Sequence, residues 1–381
     1  MKILVKNLGA IKQAEFTLGE LTVICGKNNT GKTYATYALF GFLSFWEEVF
    51  FIEVPESDIR HLLAEGSIDL NLETYIKKAP AILKKACTLF TEQLSSVFAS
   101  SNKRFAESHF EIILDPGDIL PSQTFEHTMG TAKTQLFSIS KKEDSQLVTV
   151  SLLVDKEKVK IPLGLIDRII GDALKNIVFG HLLPHPFISS TERTGAAIFR
   201  KELNFARNRL IEEMGSKEKE IDPRELLLKV HIDYALPVKS NVNFTRQLEG
   251  WAKKESFILK NHPNILDDFA DIIGGIYLVN RQDELYYVPK GKRAQLTMDE
   301  SSSAVRSLLD IGFYLRHVAE PGDLLMIDEP ELNLHPENQC RIARLFCRLI
   351  KIGIKVFITT HSDYIIKELN TLIMLNRGGE R

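Results

Sequence analysis

The stretch from Gly26 to Thr33, Gly-Lys-Asn-Asn-Thr-Gly-Lys-Thr, constrains the fold of this chain more than any other feature. It matches the pattern G-x-x-x-x-G-K-[ST] in full, and a chance match in a chain of this length is on the order of one in a hundred at average residue frequencies. The apolar run Leu21–Cys25 predicts a strand before the motif, and residues 32–46 predict a buried helix after it. A glycine-rich turn before a buried helix is the alternative, but the complete pattern in this context favours a loop that wraps a phosphate chain.

The residue types in the motif each have a physical task. Glycines allow backbone N–H groups to surround phosphate oxygens, and the start of the following helix adds positive potential. Lys32 is expected to reach the β- and γ-phosphates of a nucleotide, and the Thr33 hydroxyl is expected to bind Mg²⁺. The predicted nucleotide-binding residues are Gly26, Asn28, Asn29, Thr30, Gly31, Lys32 and Thr33.

A second candidate site follows the apolar run Leu324–Ile327, which ends in Asp328 and Glu329. In a parallel sheet the carboxyl end of a strand faces the ligand crevice. Asp328 would then hold Mg²⁺, directly or through water, and Glu329 would polarise the attacking water. Two solvated acids at the end of a strand are the alternative, which is disfavoured once the phosphate loop is considered together with them.

Three short motifs in the last part of the chain carry a family resemblance. They are Asp328-Glu329-Pro330-Glu331, Asn333-Leu334-His335-Pro336 and Thr359-Thr360-His361-Ser362. Together with the phosphate loop they resemble the core of ABC-type ATPases, and more narrowly the group that contains SMC, RecF and OLD-like ATPases, including bacterial anti-phage defence ATPases.

The resemblance implies ATP as the nucleotide and Mg²⁺ as the cofactor, with roles for several residues. Glu329 would be the catalytic base, and Asn333 would lie in the loop that crosses to a partner subunit. His361 would sense the γ-phosphate, although a histidine at the end of a strand is by itself more often a surface residue. Lys32 completes the implied catalytic set.

The family also requires a signature motif that closes the second ATP site in a dimer, and its usual Leu-Ser-Gly-Gly form is absent from this chain. Ser301, Ser302 and Ser303 precede a predicted helix instead and resemble the serine-rich signature of OLD-like and defence ATPases. Hydroxyl and backbone donors there would face a γ-phosphate. An ordinary helix N-cap is the alternative, and Arg306 either adds charge at this point or is solvated.

Two weaker candidates complete the site. Ser189–Gly195 ends a predicted strand where related ATPases carry a glutamine, which suggests Glu192 or Arg193 as a contact of Mg²⁺ or substrate. Residues Ala10–Lys12 are placed by the resemblance near the adenine.

The predicted fold class is α/β: an ABC-type P-loop ATPase head, with a mixed sheet core and an antiparallel β lobe, plus an inserted helical and β accessory region. The C-terminal part alternates between helices and strands, which indicates a parallel sheet. Its predicted elements are helix 303–319, strand 323–328, helix 336–350, strand 354–359, helix 362–368 and strand 371–375. The predicted ATPase core is split into 1–46 and 275–381, and the insertion 47–274 is predicted as helical 47–105, antiparallel β 110–161 and mostly helical 163–274.

Composition narrows the class of protein further. The 381 residues carry 48 Lys and Arg against 50 Asp and Glu, so the net charge of −2 argues against a general polyanion binder. No apolar stretch is long enough for a membrane span and the N-terminus has no apolar signal segment, so we expect no membrane partner. The four scattered cysteines suggest reduced core thiols of a cytoplasmic protein.

The resemblance implies a molecular switch that dimerises head to tail around ATP, as a homodimer or a higher homo-oligomer. The favoured interpretation is a sensor in an anti-phage defence system that controls a separate effector, a nuclease or toxin. The alternative is a RecF-like or SMC-like ATPase of DNA maintenance that binds duplex DNA. The basic residues of 77–104 form either a solvated helix face or a nucleic-acid or partner contact; they are Lys77, Lys78, Lys84, Lys85, Lys103 and Arg104. A nuclease within this chain is disfavoured, because no Glu followed by an Asp-x-Asp cluster is available for two metals, and a further C-terminal segment is an open possibility.

Overall fold

The computed structural model supplies the secondary structure and contacts of most of the chain. The described residues are 1–50, 52–114, 117, 119, 124–131, 134–154, 162–200 and 234–378.

Groups of strands and groups of helices follow one another along the chain, and the last part alternates strictly between strand and helix. The strands are β1 (Lys2–Leu8), β2 (Ile11–Thr17), β3 (Leu21–Cys25), β4 (Ser67–Asn71), β5 (His109–Ile113), β6 (Phe125–Thr131), β7 (Thr134–Lys141), β8 (Leu147–Leu152), β9 (Pro186–Ser189), β10 (Gly275–Val279), β11 (Leu285–Pro289), β12 (Leu324–Asp328) and β13 (Lys355–Thr360). The helices are α1 (Lys32–Val49), α2 (Glu56–Glu65), α3 (Leu72–Glu92), α4 (Leu94–Val97), α5 (Leu163–Phe179), α6 (Arg193–Ile198), α7 (Leu236–Arg246), α8 (Leu248–Trp251), α9 (Phe257–Asn261), α10 (Pro263–Ile273), α11 (Ser303–Ser307), α12 (Leu309–His317), α13 (Pro336–Lys351) and α14 (Asp363–Gly378).

A four-stranded parallel sheet in the order β3-β13-β12-β9 forms the centre of the fold. All five residues of β12 are buried, as expected for a continuous apolar strand that is covered on both faces. Because the strands are parallel, their carboxyl ends lie at one edge of the sheet, where Cys25 pairs with Thr360 and Asp328 pairs with Thr359. This edge carries the phosphate loop, Gly26–Thr33, and the acidic pair, Asp328 and Glu329.

Helix α1 packs between the parallel sheet and an antiparallel sheet of order β2-β1-β5. Its aromatic and aliphatic side chains are buried through most of its length, including Phe42 and Leu43. They join one apolar core with Ile3 and Val5 of β1. A second core gathers around α12 and α13 on the other side of the parallel sheet. The predicted fold class, with a mixed sheet core and an antiparallel lobe, is confirmed.

A second antiparallel sheet, of order β4-β8-β7-β6, forms the β part of the accessory region. The prediction of antiparallel strands over 110–161 is correct for β6, β7 and β8, while 155–161 lie outside the described residues. Strand β5 pairs with β1 instead, and β4 lies inside a stretch predicted to be helical. Polar and apolar residues alternate over only five positions in β4. So short a pattern is recognisable as a strand only once its pairing with β8 is known.

Strand β9 also lies within the predicted insertion, yet it pairs with β12 in the central sheet. The proposed boundaries between core and insertion stay a prediction. Of the mostly helical range 163–274, residues 201–233 lie outside the described part, and the rest carries helices from α5 to α10.

Two predicted elements near the C-terminus are wrong. The expected strand at residues 371–375 is part of α14, where Met374 and Leu375 are exposed and the backbone is satisfied locally within the helix. The expected single helix 303–319 is two helices, because Leu308 leaves the helical conformation with φ −109° and ψ 7°.

The expectation of core thiols holds for one cysteine. Cys87 is buried, Cys340 and Cys347 are half-buried, and Cys25 is exposed next to the phosphate loop. No helix among the described residues combines the length and apolar content that a membrane span requires.

Candidate functional site

The phosphate loop follows β3 and ends where α1 begins. Three of its residues have positive φ angles: Gly26 (156°), Asn29 (61°) and Gly31 (95°). A Cβ atom on Gly31 would lie 2.4 Å from Cγ1 of Ile11, so only glycine fits there. The loop is therefore held against the first hairpin, and Ile11 of the predicted adenine-side segment contacts it directly.

Lys32 folds back over the loop that precedes it. Its Nζ donates hydrogen bonds to the carbonyl oxygens of Gly26 at 3.0 Å and Lys27 at 2.8 Å. Thr30 Oγ1 donates to the same Lys27 carbonyl at 2.9 Å. The ammonium group thus lies within the loop, while Asn28 and Asn29 are exposed on its outer side.

Asp328 joins the phosphate loop to the central sheet. Thr33 Oγ1 donates to its Oδ2 at 3.2 Å across 295 residues of sequence, and Thr359 Oγ1 donates to its Oδ1. Asp328 is almost completely buried, and burial raises the pKa of its carboxyl above the ordinary 3.8. The two hydroxyl donors act in the opposite direction and favour the ionised carboxylate.

This pair fits Mg²⁺ by its chemistry. Among the described residues no group of three or more His, Cys, Asp and Glu side chains converges on one point. A magnesium ion does not need such a group, since it is commonly held by one or two protein oxygens together with phosphate oxygens and water. Asp328 and Thr33, with one carboxylate and one hydroxyl, are the residues that would hold it.

Glu329 and His361 face each other at the same sheet edge. His361 Nε2 lies 3.2 Å from Glu329 Oε1. Glu331 fixes the backbone at the histidine. Its Oε1 accepts a hydrogen bond from His361 N at 2.6 Å, and its Oε2 accepts one from Thr360 Oγ1 at 2.8 Å. Both Glu329 and His361 remain partly accessible, as groups that meet a substrate must be.

Glu329 has a positive φ of 54°, a conformation that non-glycine residues rarely adopt. Its N–H donates to the carbonyl oxygen of Thr359 at 3.1 Å and also to Thr359 Oγ1 at 3.3 Å. These hydrogen bonds from the N–H of Glu329 therefore help to hold the turn after β12 in its strained form.

The structure corrects the interpretation of Arg193 as a contact of Mg²⁺ or substrate. Its side chain is fully buried and all its hydrogen bonds go to backbone carbonyl oxygens. Glu192 is exposed beside α1, and its Oε2 lies 3.4 Å from the hydroxyl of Tyr37. Burial, together with the charges of Glu192 and Asp328, raises the pKa of Tyr37, which keeps its hydroxyl protonated.

The three signature serines have different environments. Ser301 is buried and its Oγ donates to the carbonyl oxygen of Thr297 at 2.7 Å, whereas Ser302 and Ser303 are exposed. Ser302 is the N-cap of α11, with its Oγ accepting from Val305 N at 3.3 Å. Ser302 thus serves as a helix N-cap, while the hydroxyl of Ser303 lies at the surface, and the contact of these serines with a nucleotide stays a prediction.

Arg306 is not a solvated arginine. It is half-buried, and its Nη1 donates to the carbonyl oxygens of Ser301 at 2.6 Å and Met298 at 3.2 Å. It therefore shapes the turn that carries the serines.

Asn333 lies exposed in the loop after the acidic pair, with φ 60°. Its Nδ2 donates to Thr194 Oγ1 at 3.4 Å. The same loop is tied to the serine helix α11, because Ser307 Oγ donates to the carbonyl oxygen of Leu332 at 3.1 Å.

The structure thus brings Lys32, Thr33, Asp328, Glu329 and His361 to one sheet edge. Within the described part of the chain, the hydrogen bonds of Ser301 and Ser302 stay within their own turn and none reaches the phosphate loop. Three supporting residues had no predicted role here: Thr359, Glu331 and Arg193 as a structural residue. The first two stand inside the quoted motifs, so their position was visible, but their hydrogen-bond partners were not.

The sequence model of the family described as AAA ATPase domain matches residues 1–163 and 188–366. No curated protein matches the chain.

Solved structures that are similar to it include three heads of SMC proteins. The first is the SmcHead bound to the C-winged helix domain of ScpA, with 12% identity, a TM-score of 0.34 and coverage of 96% of this chain and 91% of that chain. The second is the Smc head domain with an extended coiled coil bound to the C-terminal domain of ScpA derived from Pyrococcus furiosus, with 14% identity, a TM-score of 0.32 and coverage of 96% and 90%. The third is the SMC head domain from Thermotoga maritima, with 11% identity, a TM-score of 0.31 and coverage of 96% and 90%.

Proposed function

We propose that this chain, which belongs to the family of AAA ATPase domains, binds ATP on its phosphate loop and hydrolyses it as a molecular switch. One observation carries the proposal. Thr33 and Asp328, 295 residues apart, meet within 3.2 Å, and the next residue, Glu329, lies 3.2 Å from His361. A loop built for phosphates and a pair suited to proton transfer therefore share one sheet edge.

The binding half of the site consists of the loop and Asp328. In this proposal the Lys32 ammonium leaves the carbonyl oxygens of Gly26 and Lys27 for the β- and γ-phosphates, which offer negative charge in place of neutral acceptors. Thr33 and Asp328 hold Mg²⁺. When bound, the ion supplies positive charge against the phosphate oxygens.

The chemical half consists of Glu329 and His361. Glu329 orients a water molecule and accepts its proton while the water oxygen forms a bond to the γ-phosphorus and the bond to the β–γ bridging oxygen breaks. His361, held through its backbone by Glu331, donates to a γ-phosphate oxygen. The products are ADP and phosphate.

The proposed switch is a head-to-tail homodimer. Ser302, Ser303 and Asn333 are exposed and belong to one connected unit, since Ser307 joins the serine helix to the loop of Asn333. That arrangement supports a role for these side chains on the nucleotide of a second copy. ATP binding would then close the dimer and hydrolysis would open it.

The test compares Glu329→Gln with wild type by mass measurement in solution, with and without ATP and Mg²⁺. Glu329→Gln should bind ATP, hydrolyse it at least about 10²-fold more slowly and accumulate as a dimer or larger oligomer. Lys32→Ala should lose both hydrolysis and ATP-dependent assembly. Glu320→Gln, an exposed acid outside the site, serves as the matched control and should behave as wild type. A Glu329→Gln protein that stays monomeric with ATP, combined with unchanged hydrolysis in Lys32→Ala, refutes the proposal.

A narrower proposal concerns the process that the switch controls. We favour a sensor of an anti-phage defence system that holds or releases an effector protein. It rests on the resemblance of the serine signature and on the near-neutral charge of −2, which suits protein partners. Capture of the Glu329→Gln protein from its native host, followed by mass spectrometry, should yield a nuclease or toxin. Recovery of the protein alone, in both its ATP-bound and ATP-free forms, counts against a separate effector.

A duplex-DNA function is the second candidate, and exposed lysines on α3 favour it. Lys78, Lys84 and Lys85 are exposed on that helix, while Lys77 pairs with Glu73 at 3.6 Å. Binding through these cations should weaken with salt by about one unit of logarithmic slope per phosphate contacted. Absence of duplex binding in low salt removes this candidate.

A further inference from the structure

Among the residues that the structure describes, Arg193 is the largest side chain that is fully buried, and the hydrogen bonds of its guanidinium to this part of the chain all go to backbone oxygens. Nε donates to Ser307 O at 2.8 Å, and Nη1 donates to Ser190 O at 2.9 Å and to Asp328 O at 2.7 Å. Nη2 donates to Glu329 O at 2.6 Å. One rigid planar group thus binds four carbonyl oxygens.

These four oxygens belong to three separate segments. Ser190 follows strand β9, Ser307 ends the serine helix α11, and Asp328 ends β12 with Glu329 directly after it. Arg193 is therefore a hydrogen-bond partner of both the serine helix and the acidic pair. A lysine ammonium could not reproduce this pattern, because it lacks the fixed fork of donors.

Burial of a charged guanidinium is costly and must be offset by neighbouring groups. Burial lowers the pKa of Arg193, and the charges of Asp310 and then Asp328 act against that shift. Asp310 is itself held by Asn241, whose Nδ2 donates to Asp310 Oδ2 at 2.6 Å. A side chain needed only for packing would not require this polar network, since an apolar residue fills such a space at less cost.

The backbone of Glu329 shows what the arginine holds in place. Its left-handed φ of 54° persists only if both sides of the residue are fixed. Thr359 binds its N–H, and Arg193 binds its carbonyl oxygen at 2.6 Å. The position of the carboxylate therefore depends on Arg193, although Arg193 does not face the ligand crevice.

We propose that Arg193 is a positioning residue that sets Glu329 for water activation and couples its position to the serine helix α11 through Ser307 O. The inference rests on the proposed ATPase function and deepens it. Movement of α11 against a nucleotide of the second copy displaces Ser307, and the shared guanidinium transmits that displacement to Glu329. Hydrolysis in one site thereby depends on occupation of the dimer interface.

The experiment separates positioning from charge balance and stability. The variants are Arg193→Met, Arg193→Lys, and the double variant Arg193→Met with Asp310→Asn, which removes both buried charges and keeps side-chain volume. Arg200→Met is the matched control, since Arg200 is also buried but pairs with Glu249 away from the acidic pair. Melting temperature, fluorescent ATP-analogue affinity, kcat and KM are measured for each, well below the melting temperature.

Arg193→Met should melt earlier and lose about 10²-fold in kcat, because a shift of the order of 1 Å in a catalytic group has that effect. ATP affinity and KM should stay within about threefold of wild type, since the phosphate loop is untouched. The double variant should regain melting temperature but not kcat. Arg193→Lys should also lose kcat, whereas Arg200→Met should lower the melting temperature alone.

Recovery of kcat together with stability in the double variant, or a wild-type kcat in Arg193→Lys, overturns the positioning role. Equal losses in kcat and ATP affinity overturn it as well, because they indicate a general structural effect. A wild-type protein that does not hydrolyse ATP refutes the proposed function and the inference with it, so the two failures are distinguishable.

Discussion

Replacement of Thr359 by valine removes the hydroxyl that links the two acids of the site while keeping the shape of the side chain. In the native protein Thr359 Oγ1 donates to Asp328 Oδ1 and accepts from Glu329 N. The Glu329 N–H keeps its second acceptor, the Thr359 carbonyl oxygen at 3.1 Å, so its loss is small. The main effect is that a buried carboxylate loses one of its two hydroxyl donors.

A hydrogen bond to a buried charged group contributes about 1.5–3 kcal/mol. We therefore expect Thr359→Val to lower the free energy of unfolding by about 2–3 kcal/mol at neutral pH. Thr359→Ser, the matched control, keeps the hydroxyl and loses one buried methyl group, which should cost about 1 kcal/mol. Urea unfolding followed by fluorescence measures both differences.

The pH dependence provides a sharper check. Burial already raises the pKa of Asp328 above 3.8, and the Thr359 hydroxyl lowers it again in part. For an acid with a raised folded-state pKa, the native state binds the proton more tightly than the unfolded state, so stability falls as the pH rises through the window that begins near 3.8. Without the hydroxyl this window extends to higher pH, so the loss in Thr359→Val should grow as the pH rises through the window, while that in Thr359→Ser should stay constant.

Two results would refute this reasoning. A Thr359→Val protein no less stable than Thr359→Ser at pH 8 would mean that the hydroxyl does not stabilise the carboxylate. A destabilisation that shrinks as the pH rises would mean that the Thr359 hydroxyl stabilises the protonated form of Asp328 more than its carboxylate.

Three further predictions concern positions where the structure leaves little freedom. Gly31→Ala should reduce ATP affinity at least about tenfold in an equilibrium binding assay, because its φ of 95° and the 2.4 Å approach to Ile11 force the loop to move. Gly171→Ala, whose Cβ would lie 2.3 Å from the carbonyl oxygen of Ile52, should lower thermal stability by a similar strain but leave the ATP affinity of the folded protein unchanged. Ser302→Ala should cost about 1 kcal/mol as the loss of a helix N-cap, seen in urea unfolding, and should abolish the ATP-dependent dimer of the Glu329→Gln background in mass measurements; persistence of that dimer would contradict the role given to the serine turn.

The phosphate loop and the acidic strand could be predicted from sequence because the residues that give them their chemistry are adjacent in the chain. The glycines with positive φ, Lys32, Thr33 and the apolar run before Asp328 are local signals. Residues 371–375 show the limit of such signals, since a run of apolar residues is compatible with a strand or a helix. No strand partner pairs with them in the described sheets, so they continue α14.

Supporting residues were harder to predict for a different reason. Thr359 stands in a quoted motif, but its two partners are determined by the pairing of β12 with β13. Arg193 was expected to contact ligand because it lies where related ATPases carry a glutamine, whereas its side chain turns inward to four carbonyl oxygens. Arginine side chains are usually exposed, and the sequence contains no local sign that Arg193 is buried.

The amino-acid sequence by itself therefore determined the phosphate loop, the acidic strand and the α/β alternation, because these depend on backbone preferences and residue types within a few positions. Only the tertiary structure decided which groups meet: Thr33 with Asp328, Glu329 with His361, and Arg193 with Ser307. Such partners lie tens to hundreds of residues apart. Their hydrogen bonds become defined only when the strand register is set and water is excluded from the sheet edge, since both the geometry and the strength of a buried polar contact depend on that packing.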